Sequence, residues 1–459
     1  AMLLTLSPLV SVGLSLPSMD GSMRSRVSPS MMAATISAPA STADDAEAQR
    51  AAFDEVVMGT YGRFKMTIAR GKGCYLYDTD GVEYLDFAAG ISTCCLGHAD
   101  PALAEAVYKQ MRTVHHVSNL YYIPQQGELA RRLVASSCAD KVFFCNSGAE
   151  ANEAAIKLAR KHATQELGIE KPVILTMTNS FHGRTMATIT ATGQPKYQKG
   201  FGPLLPGFDY VTYNDVEDLR AAVRRTRGLF GLGKSRLAAI MLEPLQGEGG
   251  ITPATAEFIA EARKLCDETG ALLMCDEVQT GMGRSGTMWG HMQLGVEPDV
   301  FTTAKALGGG VPIGAMLCKA RADIFQPGDH ASTFGGNPLA SAAGNAVLDA
   351  YDERGVLENV RQRSVQLKAG LQDIADSTGA ITEVRGWGLI LGMQLSDACG
   401  FTAAQLCAAC LEGGLLTVPA GTTVLRLVPP LVVSEAEASE ALDKLRAAIA
   451  SCSAKHAQS

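Results

Sequence analysis

The sequence predicts an α/β fold, with a mainly parallel sheet covered by helices in a large domain and a smaller α+β domain at the C-terminus. From about residue 141, short apolar stretches alternate with longer amphipathic ones. This alternation is typical of a parallel sheet with helices on both faces. Beyond about residue 345 the pattern changes to long helical stretches around short strands such as "GLILGMQL" and "VLRLVPPL", which indicates the second domain.

The apolar stretches of the large domain are interpreted as buried strands, because each is short and is bounded by polar or turn residues. The strands are "KVFFCNSG", "PVILTMTNSF", "LAAIMLEPLQ", "ALLMCDEVQ" and "DVFTTAKAL". The helices between them are "AEANEAAIKLARKHATQ", "DVEDLRAAVRRTR" and "TAEFIAEARKLCDETG". We divide the chain into a leader (1–42), an N-terminal segment that joins the small domain (43–95), the large domain (96–344) and the small C-terminal domain (345–459).

The leader has the composition of a targeting segment. Residues 1–42 are rich in serine and methionine, and they contain two bases, Arg24 and Arg26, and one acid, Asp20. A serine-rich, acid-poor leader is typical of a transit peptide, which we expect to be disordered. Because arginines are few, a plastid is favoured as the destination, with the mitochondrial matrix as the alternative. The apolar part of the leader ends at Pro17 and is shorter than the roughly 18 to 20 residues that a membrane span requires.

Length and composition are those of a globular protein with a large core. The chain has 459 residues, of which 47% are apolar and 19% charged, and its formal net charge is −7. This charge argues against a broad basic surface for nucleic acid or an anionic membrane. The 12 cysteines lack the paired spacing of a structural zinc site, so we expect reduced thiols in an intracellular compartment and no metal.

Two glycine-rich motifs match nucleotide-binding patterns but stand in the wrong context. "GLFGLGKS" (228–235) fits the phosphate-loop pattern, yet a predicted helix precedes it and a predicted strand follows it. A phosphate loop requires the opposite order, so nucleotide binding at Lys234 is disfavoured. "GMGRSG" (281–286) follows a strand that ends in two acids and leads into no long helix, which favours a flexible glycine turn.

Three other features lie at the carboxyl ends of predicted parallel strands, where open α/β sheets bind their ligands. "CNSGAEAN" places Ser147, Gly148 and Ala149 at a strand-to-helix turn whose free N–H groups can bind a phosphate. Asp276 and Lys305 each follow an apolar strand. Each alone could be a cap or a solvated side chain. Together, an amine, a carboxylate and a phosphate turn are the contributions that a protein makes to pyridoxal phosphate chemistry.

A series of long motifs resembles the class III pyridoxal-phosphate-dependent aminotransferases, and among them the acetylornithine aminotransferases. The motifs are "NSGAEANEAAIKLAR", "FHGRT", "EPLQGEGG", "CDEVQTGMGRSG", "AKALGGGVPIGA" and "STFGGNPLA", in this order. The resemblance extends from about Gly59 to Leu431, nearly the whole chain after the leader. It implies a fold type I transferase with a seven-stranded type of sheet, and a homodimer whose active sites lie at the subunit interface.

The resemblance implies a role for each residue of the cofactor site. Lys305 would attach to pyridoxal 5′-phosphate and then move a proton at the substrate carbon, and Asp276 would keep the pyridine nitrogen protonated. The two ring faces and the ring hydroxyl would contact Phe181, Val278 and Gln279, respectively. The phosphate would lie at the turn of Ser147, Gly148 and Ala149, and Thr333 would reach the phosphate of the partner subunit's cofactor.

Two arginines are implied to bind carboxylate substrates, which suit the fixed fork of a guanidinium. Arg184, with Ser332 nearby, resembles the residue that binds the α-carboxylate of an ornithine-type donor. Arg426 resembles the residue that binds 2-oxoglutarate, and Glu248 would pair with it while the donor is bound. Without the resemblance, each arginine would be interpreted as a member of a surface ion pair.

Ile91 is the most useful indication of the amino donor. Ornithine δ-aminotransferases resemble this chain but carry a tyrosine at that point, where it receives a free α-amino group, and they also have a tyrosine where Tyr61 lies. An isoleucine offers an ammonium no partner, and leaving a buried charge unpaired costs about 3 to 5 kcal/mol. The sequence therefore favours N2-acetyl-L-ornithine and 2-oxoglutarate, a pair of arginine biosynthesis, with ornithine or 4-aminobutyrate as alternative donors. A phosphate-loop nucleotide-binding protein and a non-catalytic relative are the alternatives from other classes.

Overall fold

The central sheet of the molecule contains every strand that the sequence predicts for the large domain. In the computed structural model, which describes residues 43–228 and 233–457, the strands are β1 (Ile68–Lys72), β2 (Tyr75–Asp78), β3 (Glu83–Asp86), β4 (Lys141–Cys145), β5 (Val173–Met177), β6 (Phe208–Val211), β7 (Leu237–Leu242), β8 (Leu245–Gln246), β9 (Thr252–Pro253), β10 (Leu272–Asp276), β11 (Val300–Thr303), β12 (Gly314–Cys318), β13 (Ile381–Trp387), β14 (Ile390–Leu395), β15 (Leu415–Leu416), β16 (Val418–Pro419) and β17 (Val424–Leu427). The leader lies outside the described residues.

The helices follow the strands as the amphipathic stretches predict. They are α1 (Ala43–Val56), α2 (Ala89–Ser92), α3 (Pro101–Thr113), α4 (Pro124–Ala135), α5 (Gly148–Gln165), α6 (Met186–Ala191), α7 (Pro195–Gln198), α8 (Val216–Thr226), α9 (Ala256–Thr269), α10 (Pro338–Arg354), α11 (Val356–Thr378), α12 (Ala403–Glu412) and α13 (Glu435–Ala457). Within the two described ranges, no helix is both long enough and apolar enough to span a membrane.

The main sheet has seven strands in the order β4-β12-β11-β10-β7-β5-β6. Five neighbours, β11, β10, β7, β5 and β6, pair in parallel, whereas β12 pairs antiparallel with both β11 and β4. The prediction of a mainly parallel sheet is therefore confirmed. β12 was not among the predicted strands, because "GAMLC" is short and contains no β-branched residue to mark it.

Helix α5 shows how the sequence positions the candidate site. The Ser147 hydroxyl caps the helix by accepting the N–H of Glu150, and the side chains of Ala151, Ala155 and Leu158 recur at helical spacing on its buried face. Because only two residues separate the end of β4 from the start of α5, the first turn of the helix lies at the carboxyl end of that strand.

Two smaller four-stranded sheets accompany the main sheet, and one of them joins the N-terminal segment to the C-terminal part of the chain. β1, β2 and β3 form an antiparallel group, to which β15 adds in parallel with β3, so that Leu415 lies opposite Leu85. The other sheet, β13-β14-β17-β16, is antiparallel throughout. The N-terminal segment thus shares a sheet with the C-terminal part, while the exact domain boundaries stay a prediction.

Candidate active site

A cavity of about 450 Å³ lies at the carboxyl ends of the central parallel strands. The predicted site residues that line it are Ser147, Gly148, Ala149, Phe181, Arg184, Glu248, Asp276, Val278, Gln279 and Lys305. In the single chain Tyr61, Ser332, Thr333 and Arg426 are not among its lining residues. Three lining residues that the sequence analysis did not single out are Asn152, His182 and Glu243.

Lys305 follows β11 and projects its amino group into this cavity. Burial of the amino group, followed in size by the positive charge of Arg426, lowers the pKa of Lys305 from 10.5 to about 8. The backbone of Lys305 has φ +41°, in the left-handed region that a side chain with a Cβ atom rarely occupies. A lysine with a depressed pKa in a strained backbone position is typical of a reactive amine.

Asp276 ends β10, and three neighbouring groups fix the position of its side chain. Its Oδ2 atom lies 2.8 Å from His182 Nδ1 and accepts the Asn152 amide at 2.7 Å, and its Oδ1 atom accepts the N–H of Val278 at 3.0 Å. Burial opposes a charge on His182, but the hydrogen bond to Asp276 raises the pKa of this imidazole above its usual value. The arrangement fixes the Asp276 side chain at a strand end that is nearly inaccessible to solvent.

The two partners of Asp276 were missed in the sequence. His182 directly follows Phe181 in "FHGRT", and Asn152 stands four residues after Gly148 in "GAEAN", which places it on the same face of α5 as the first turn. Asn152 also accepts the Thr302 hydroxyl at 2.7 Å and donates to the His182 carbonyl at 2.8 Å. Helical spacing from the glycine could have indicated Asn152, whereas its partners depend on tertiary packing.

The strand-to-helix turn of Ser147, Gly148 and Ala149 lies at the edge of the same cavity. The first N–H groups of a helix have no acceptor within the helix and carry its positive dipole end, so those of Gly148 and Ala149 are available to an anion. A Cβ atom on Gly148 would lie 2.7 Å from both methyl carbons of Val278. Glycine therefore lets the helix approach the loop that follows β10.

Phe181 and Arg184 form an aromatic and cationic wall with Tyr197. The Arg184 guanidinium lies 4.0 Å from the centroid of the Tyr197 ring and 5.4 Å from that of Phe181, and the two rings meet edge to face at 5.7 Å. Arg184 is exposed, and within residues 43–228 and 233–457 no carboxylate pairs with it. Its charge is thus available to a carboxylate ligand.

Arg426 and Glu248 form a nearly buried ion pair beside the cavity. Arg426 Nη1 lies 2.8 Å from Glu248 Oε1 and donates to Gln279 Oε1 at 3.1 Å, and the arginine side chain is 1% exposed whereas that of Glu248 is 24% exposed. β17 carries Arg426, while Glu248 and Gln279 both line the cavity. An acid that is more exposed than its partner can move away from it and leave the guanidinium to another carboxylate.

Glu243 is a buried acid that joins the Phe181 loop to the Glu248 loop. Its two carboxylate oxygens accept the N–H of Phe181 at 3.0 Å and that of Gly247 at 3.2 Å. Burial raises the pKa of Glu243 to about 7. The acid was not singled out in "EPLQGEGG", where Glu248 carries the resemblance.

The remaining predicted residues lie outside the cavity on exposed segments. Tyr61 is 75% exposed and Ile91 is 43% exposed, and Thr333 is also exposed. The Ser332 hydroxyl accepts the amide of the cavity-lining Asn146 at 3.1 Å. The roles of these residues in binding stay a prediction.

The two glycine-rich motifs do not form phosphate loops in the described residues. Residues 229–232 of "GLFGLGKS" lie outside the description, but α8 ends at Thr226 and β7 begins at Leu237, so a helix precedes the motif and a strand follows it. Lys234 donates to the Leu167 carbonyl at 2.5 Å. At "GMGRSG" the structure has a turn, as predicted, but the turn lies inside the molecule: all six residues are buried, and Arg284 donates to the carbonyls of Leu389 and Pro429.

The lining residues fit pyridoxal phosphate in chemical type. The cavity offers an amine with a lowered pKa at Lys305, a buried carboxylate at Asp276 and the first turn of a helix at Gly148. These are the groups that bind the aldehyde, the ring nitrogen and the phosphate of this cofactor.

The comparisons with known proteins agree with the geometry. The sequence model of the family described as "Aminotransferase class-III" matches residues 57–449. A protein named acetylornithine aminotransferase from Nostoc sp. is 58% identical over 403 residues, which covers 88% of this chain and 93% of the relative.

Two solved structures are similar over most of their length. The N-acetylornithine aminotransferase of Stenotrophomonas maltophilia is 41% identical with a TM-score of 0.73, covering 85% of this chain and 97% of that one. The ornithine aminotransferase of Toxoplasma gondii, described with partial occupancy of pyridoxal phosphate at its active site, is 29% identical with a TM-score of 0.83, covering 91% and 96%.

Proposed function

The chain belongs to the class III aminotransferase family, and from this we propose that it transfers the δ-amino group of N2-acetyl-L-ornithine to 2-oxoglutarate with pyridoxal phosphate as its cofactor. The relative from Nostoc sp., at 58% identity, supports the choice of donor. The observation that carries the proposal is the contrast between two arginines at one cavity: Arg184 has its charge available, whereas Arg426 is neutralised by Glu248.

The residues around Lys305 are arranged to support the transfer of a proton at the substrate carbon. When bound, pyridoxal phosphate supplies an electron sink that stabilises negative charge on the substrate carbon. Lys305 would hold the cofactor through its amino group, and the same amine would be placed to move a proton at the substrate carbon. Asp276, fixed by His182 and Asn152, would hold a proton on the ring nitrogen.

The two arginines let one cavity accept two unlike substrates in turn. Arg184 binds the α-carboxylate of the amino donor, whose ω-amine reaches toward Lys305, while Glu248 keeps the charge of Arg426 occupied. The shorter dicarboxylate 2-oxoglutarate needs a second cation, which Arg426 provides when Glu248 moves away. Because Glu248 is the more exposed member of the pair, its movement requires less repacking than a movement of Arg426.

The choice of the acetylated donor is supported by the relatives named for it, and the sequence prediction at Ile91 agrees with it. An acetylated α-nitrogen carries no charge, whereas the free α-ammonium of ornithine would require a partner that isoleucine cannot provide. Ornithine and 4-aminobutyrate are the alternative donors. Purified enzyme with a higher kcat/KM for either of them than for N2-acetyl-L-ornithine would contradict the proposed substrate while leaving the aminotransferase family intact.

The decisive experiment combines a substrate panel with absorbance spectroscopy. Protein supplied with pyridoxal phosphate is expected to show the visible absorbance band of a cofactor linked to a lysine, and Lys305→Ala is expected to lose both the band and the activity. Lys234→Ala, which changes the phosphate-loop lysine, serves as the matched control and is expected to keep both. ATP binding that this control abolishes would instead favour the nucleotide-binding alternative.

We propose that the enzyme acts as a homodimer in which each copy completes the site of the other. Leu120, Tyr121 and Tyr122 are exposed, and they follow Asn119, whose amide donates to the carbonyl of Ser332 at 3.1 Å. The exposed Phe334 lies in the same loop as Ser332. Contiguous exposed apolar side chains of this kind mark association surfaces, and this one adjoins the cavity through the contact between Ser332 and Asn146.

We propose the plastid as the location and residues 1–42 as the transit peptide. The support is compositional: the segment is rich in serine and contains three charged residues, Asp20, Arg24 and Arg26. A fluorescent protein fused behind residues 1–42 should accumulate in plastids, and accumulation in mitochondria would favour the alternative.

A further inference from the structure

A second cluster of reactive groups lies outside the candidate active site. Cys138 and His291 both line a separate cavity of about 510 Å³. Cys138 Sγ lies 3.8 Å from His291 Nε2, and Nδ1 of the same ring lies 2.7 Å from Oε1 of Glu277. A thiol, an imidazole and a carboxylate therefore stand in sequence at the wall of this cavity.

Glu277 fixes the orientation and the charge of this imidazole. The carboxylate is fully buried and accepts the N–H groups of Gly290 at 2.5 Å and His291 at 2.7 Å, together with the Thr280 hydroxyl at 3.1 Å. Burial by itself lowers the pKa of His291, but the hydrogen bonds with Cys138 and Glu277 outweigh it and raise the pKa to about 9. The ring is therefore an imidazolium at neutral pH, with its Nε2 side toward the thiol.

Other charged groups near the imidazole do not offset the raised pKa of His291. Glu297 lines the same cavity and is engaged with Lys319 at 2.7 Å. Behind the cluster, the Cys275 thiol is fully buried and its pKa is raised well above the usual value by burial, so it stays neutral. An imidazolium beside a thiol favours the thiolate, which is the nucleophilic form.

Cys138 belongs to a small group of cysteines that are not fully buried. Nine of the 12 are buried, and only Cys94, Cys138 and Cys399 are half-buried. Cys94 has His98 as a neighbour, whereas Cys399 Sγ contacts the carbonyl of Phe401 at 3.1 Å. Cys399 is thus an internal reference with similar burial.

We propose that Cys138 is a reactive cysteine activated by the neighbouring His291, and that it forms mixed disulfides with low-molecular-weight disulfides that enter this cavity. In the exchange, Cys138 Sγ attacks one sulfur of the disulfide and forms a new S–S bond as the old one breaks. The departing thiolate takes a proton from His291 or water. The co-reactant is itself the oxidant, so electrons balance without any further group.

The first test measures the reactivity of each cysteine in the wild-type protein. Samples treated with iodoacetamide at pH 7 are digested, and the alkylated fraction of each cysteine is followed by mass spectrometry. Since an ordinary thiol is only a few per cent ionised at this pH, Cys138 is expected to react at least about tenfold faster than Cys399. Equal rates at the two cysteines would overturn the proposal.

The pH profile tests the role of His291 without any substitution. The proposal predicts that the alkylation rate depends less steeply on pH at Cys138 than at Cys399, because only Cys138 has His291 beside its sulfur. His291→Gln is expected to give Cys138 the steeper profile of Cys399. If the fold of this variant were loosened, Cys399 would react faster as well, so its rate reports on folding in the same sample.

The second test follows the mixed disulfide itself. Hydroxyethyl disulfide, which is small and uncharged, should add one thiol equivalent to the wild-type protein at Cys138, and dithiothreitol should remove it. Cys138→Ser should take up none at comparable times, while Cys399→Ser should behave as wild type. Uptake that persists in Cys138→Ser, or that occurs first at Cys94, would assign the reactivity to another cysteine.

Discussion

Lys305 is a cavity-lining amine whose protonation state governs its reactivity with an aldehyde. With its pKa lowered to about 8, half of the amine is neutral at pH 8, whereas an ordinary lysine reaches that fraction near its reference value of 10.5. We therefore expect the rate of attachment of pyridoxal phosphate to the cofactor-free enzyme to rise from pH 6 and to level off above about pH 8. Stopped-flow absorbance over this range would check the midpoint.

A variant at Arg426 provides the control for this pH dependence. The positive charge of Arg426 is the second cause of the lowered pKa of Lys305, so Arg426→Gln should move the midpoint to higher pH. A midpoint near 10 in the wild-type enzyme, or one that does not move in the variant, would contradict the electrostatic account.

Tyr197 supports Arg184 through its ring rather than through its hydroxyl group. A cation above an aromatic ring is stabilised by about 0.5 to 1 kcal/mol at an exposed site, and the guanidinium lies 4.0 Å from the ring centroid. Tyr197→Leu is therefore expected to raise KM for the amino donor roughly two- to fivefold, with little change in kcat. Tyr197→Phe keeps the ring and should resemble the wild type in steady-state kinetics. Equal KM values for Tyr197→Leu and the wild type would show that the ring does not support Arg184.

At the scale of elements, two helical glycines have opposite expected responses to alanine. In α5, a Cβ atom at Gly148 would lie 2.7 Å from the methyl groups of Val278, and forcing extra atoms into a packed site costs about 1 to 3 kcal/mol. In α4, a Cβ atom at Gly127 would meet nothing within 4 Å, so alanine there should stabilise the fold by about 0.5 to 1 kcal/mol. Urea denaturation of the two variants would show opposite shifts of the midpoint.

The effect at Gly148 should extend to the cofactor, because Val278 lines the same cavity. Gly148→Ala is expected to weaken the binding of pyridoxal phosphate in a titration, while Gly127→Ala leaves it unchanged. Val278→Ala combined with Gly148→Ala removes the clashing methyl groups and should recover stability. If Gly148→Ala were as stable as the wild type, the close approach of helix and loop would be refuted.

Helices and strands could be predicted where the pattern of apolar residues within the segment itself defines them. The strands at 141–145 and 272–276 and helix α5 follow from short apolar stretches and from helical spacing. The antiparallel strand β12 could not be predicted, because direction within a sheet depends on pairing between distant segments. The same holds for the contacts of Asp276 with His182 and Asn152, which join three segments far apart in the chain.

The burial of particular side chains is a second property that the sequence did not indicate. "GMGRSG" looks like a flexible loop by composition, yet Arg284 within it is fully buried because the segment packs against the C-terminal part of the chain. The lowered pKa of Lys305 likewise has no sequence signal, since desolvation is a property of the assembled cavity. The pairing of Arg426 with Glu248 was expected only through resemblance to a known family.

At the scale of the whole molecule, the exposed stretch from Leu120 to Tyr122 gives a test of the proposed homodimer. Tyr122→Glu places a charge on this apolar surface and should shift the enzyme from dimer to monomer in sedimentation velocity, because burying an unpaired charge is unfavourable. Activity should fall with the dimer, since Thr333 would no longer reach a neighbouring site.

Val365 provides the control for Tyr122→Glu, because Val365→Glu also replaces an exposed apolar side chain with an acid, on a different surface. It is 72% exposed on α11, and Val365→Glu should keep both the dimer and the activity. A Tyr122→Glu enzyme that stays dimeric and fully active would show that the partner binds elsewhere or that a single chain suffices.

The left-handed backbone at Lys305 has a consequence for how such a sequence evolves. A residue with a Cβ atom pays roughly 1 to 2 kcal/mol for this conformation, which glycine would largely avoid. Natural selection for transamination therefore preserves a lysine at a position where glycine would give a higher free energy of unfolding. In a lineage released from that selection, this position should be among the first to drift, and the descendants should be inactive proteins that are harder to unfold than their working ancestor.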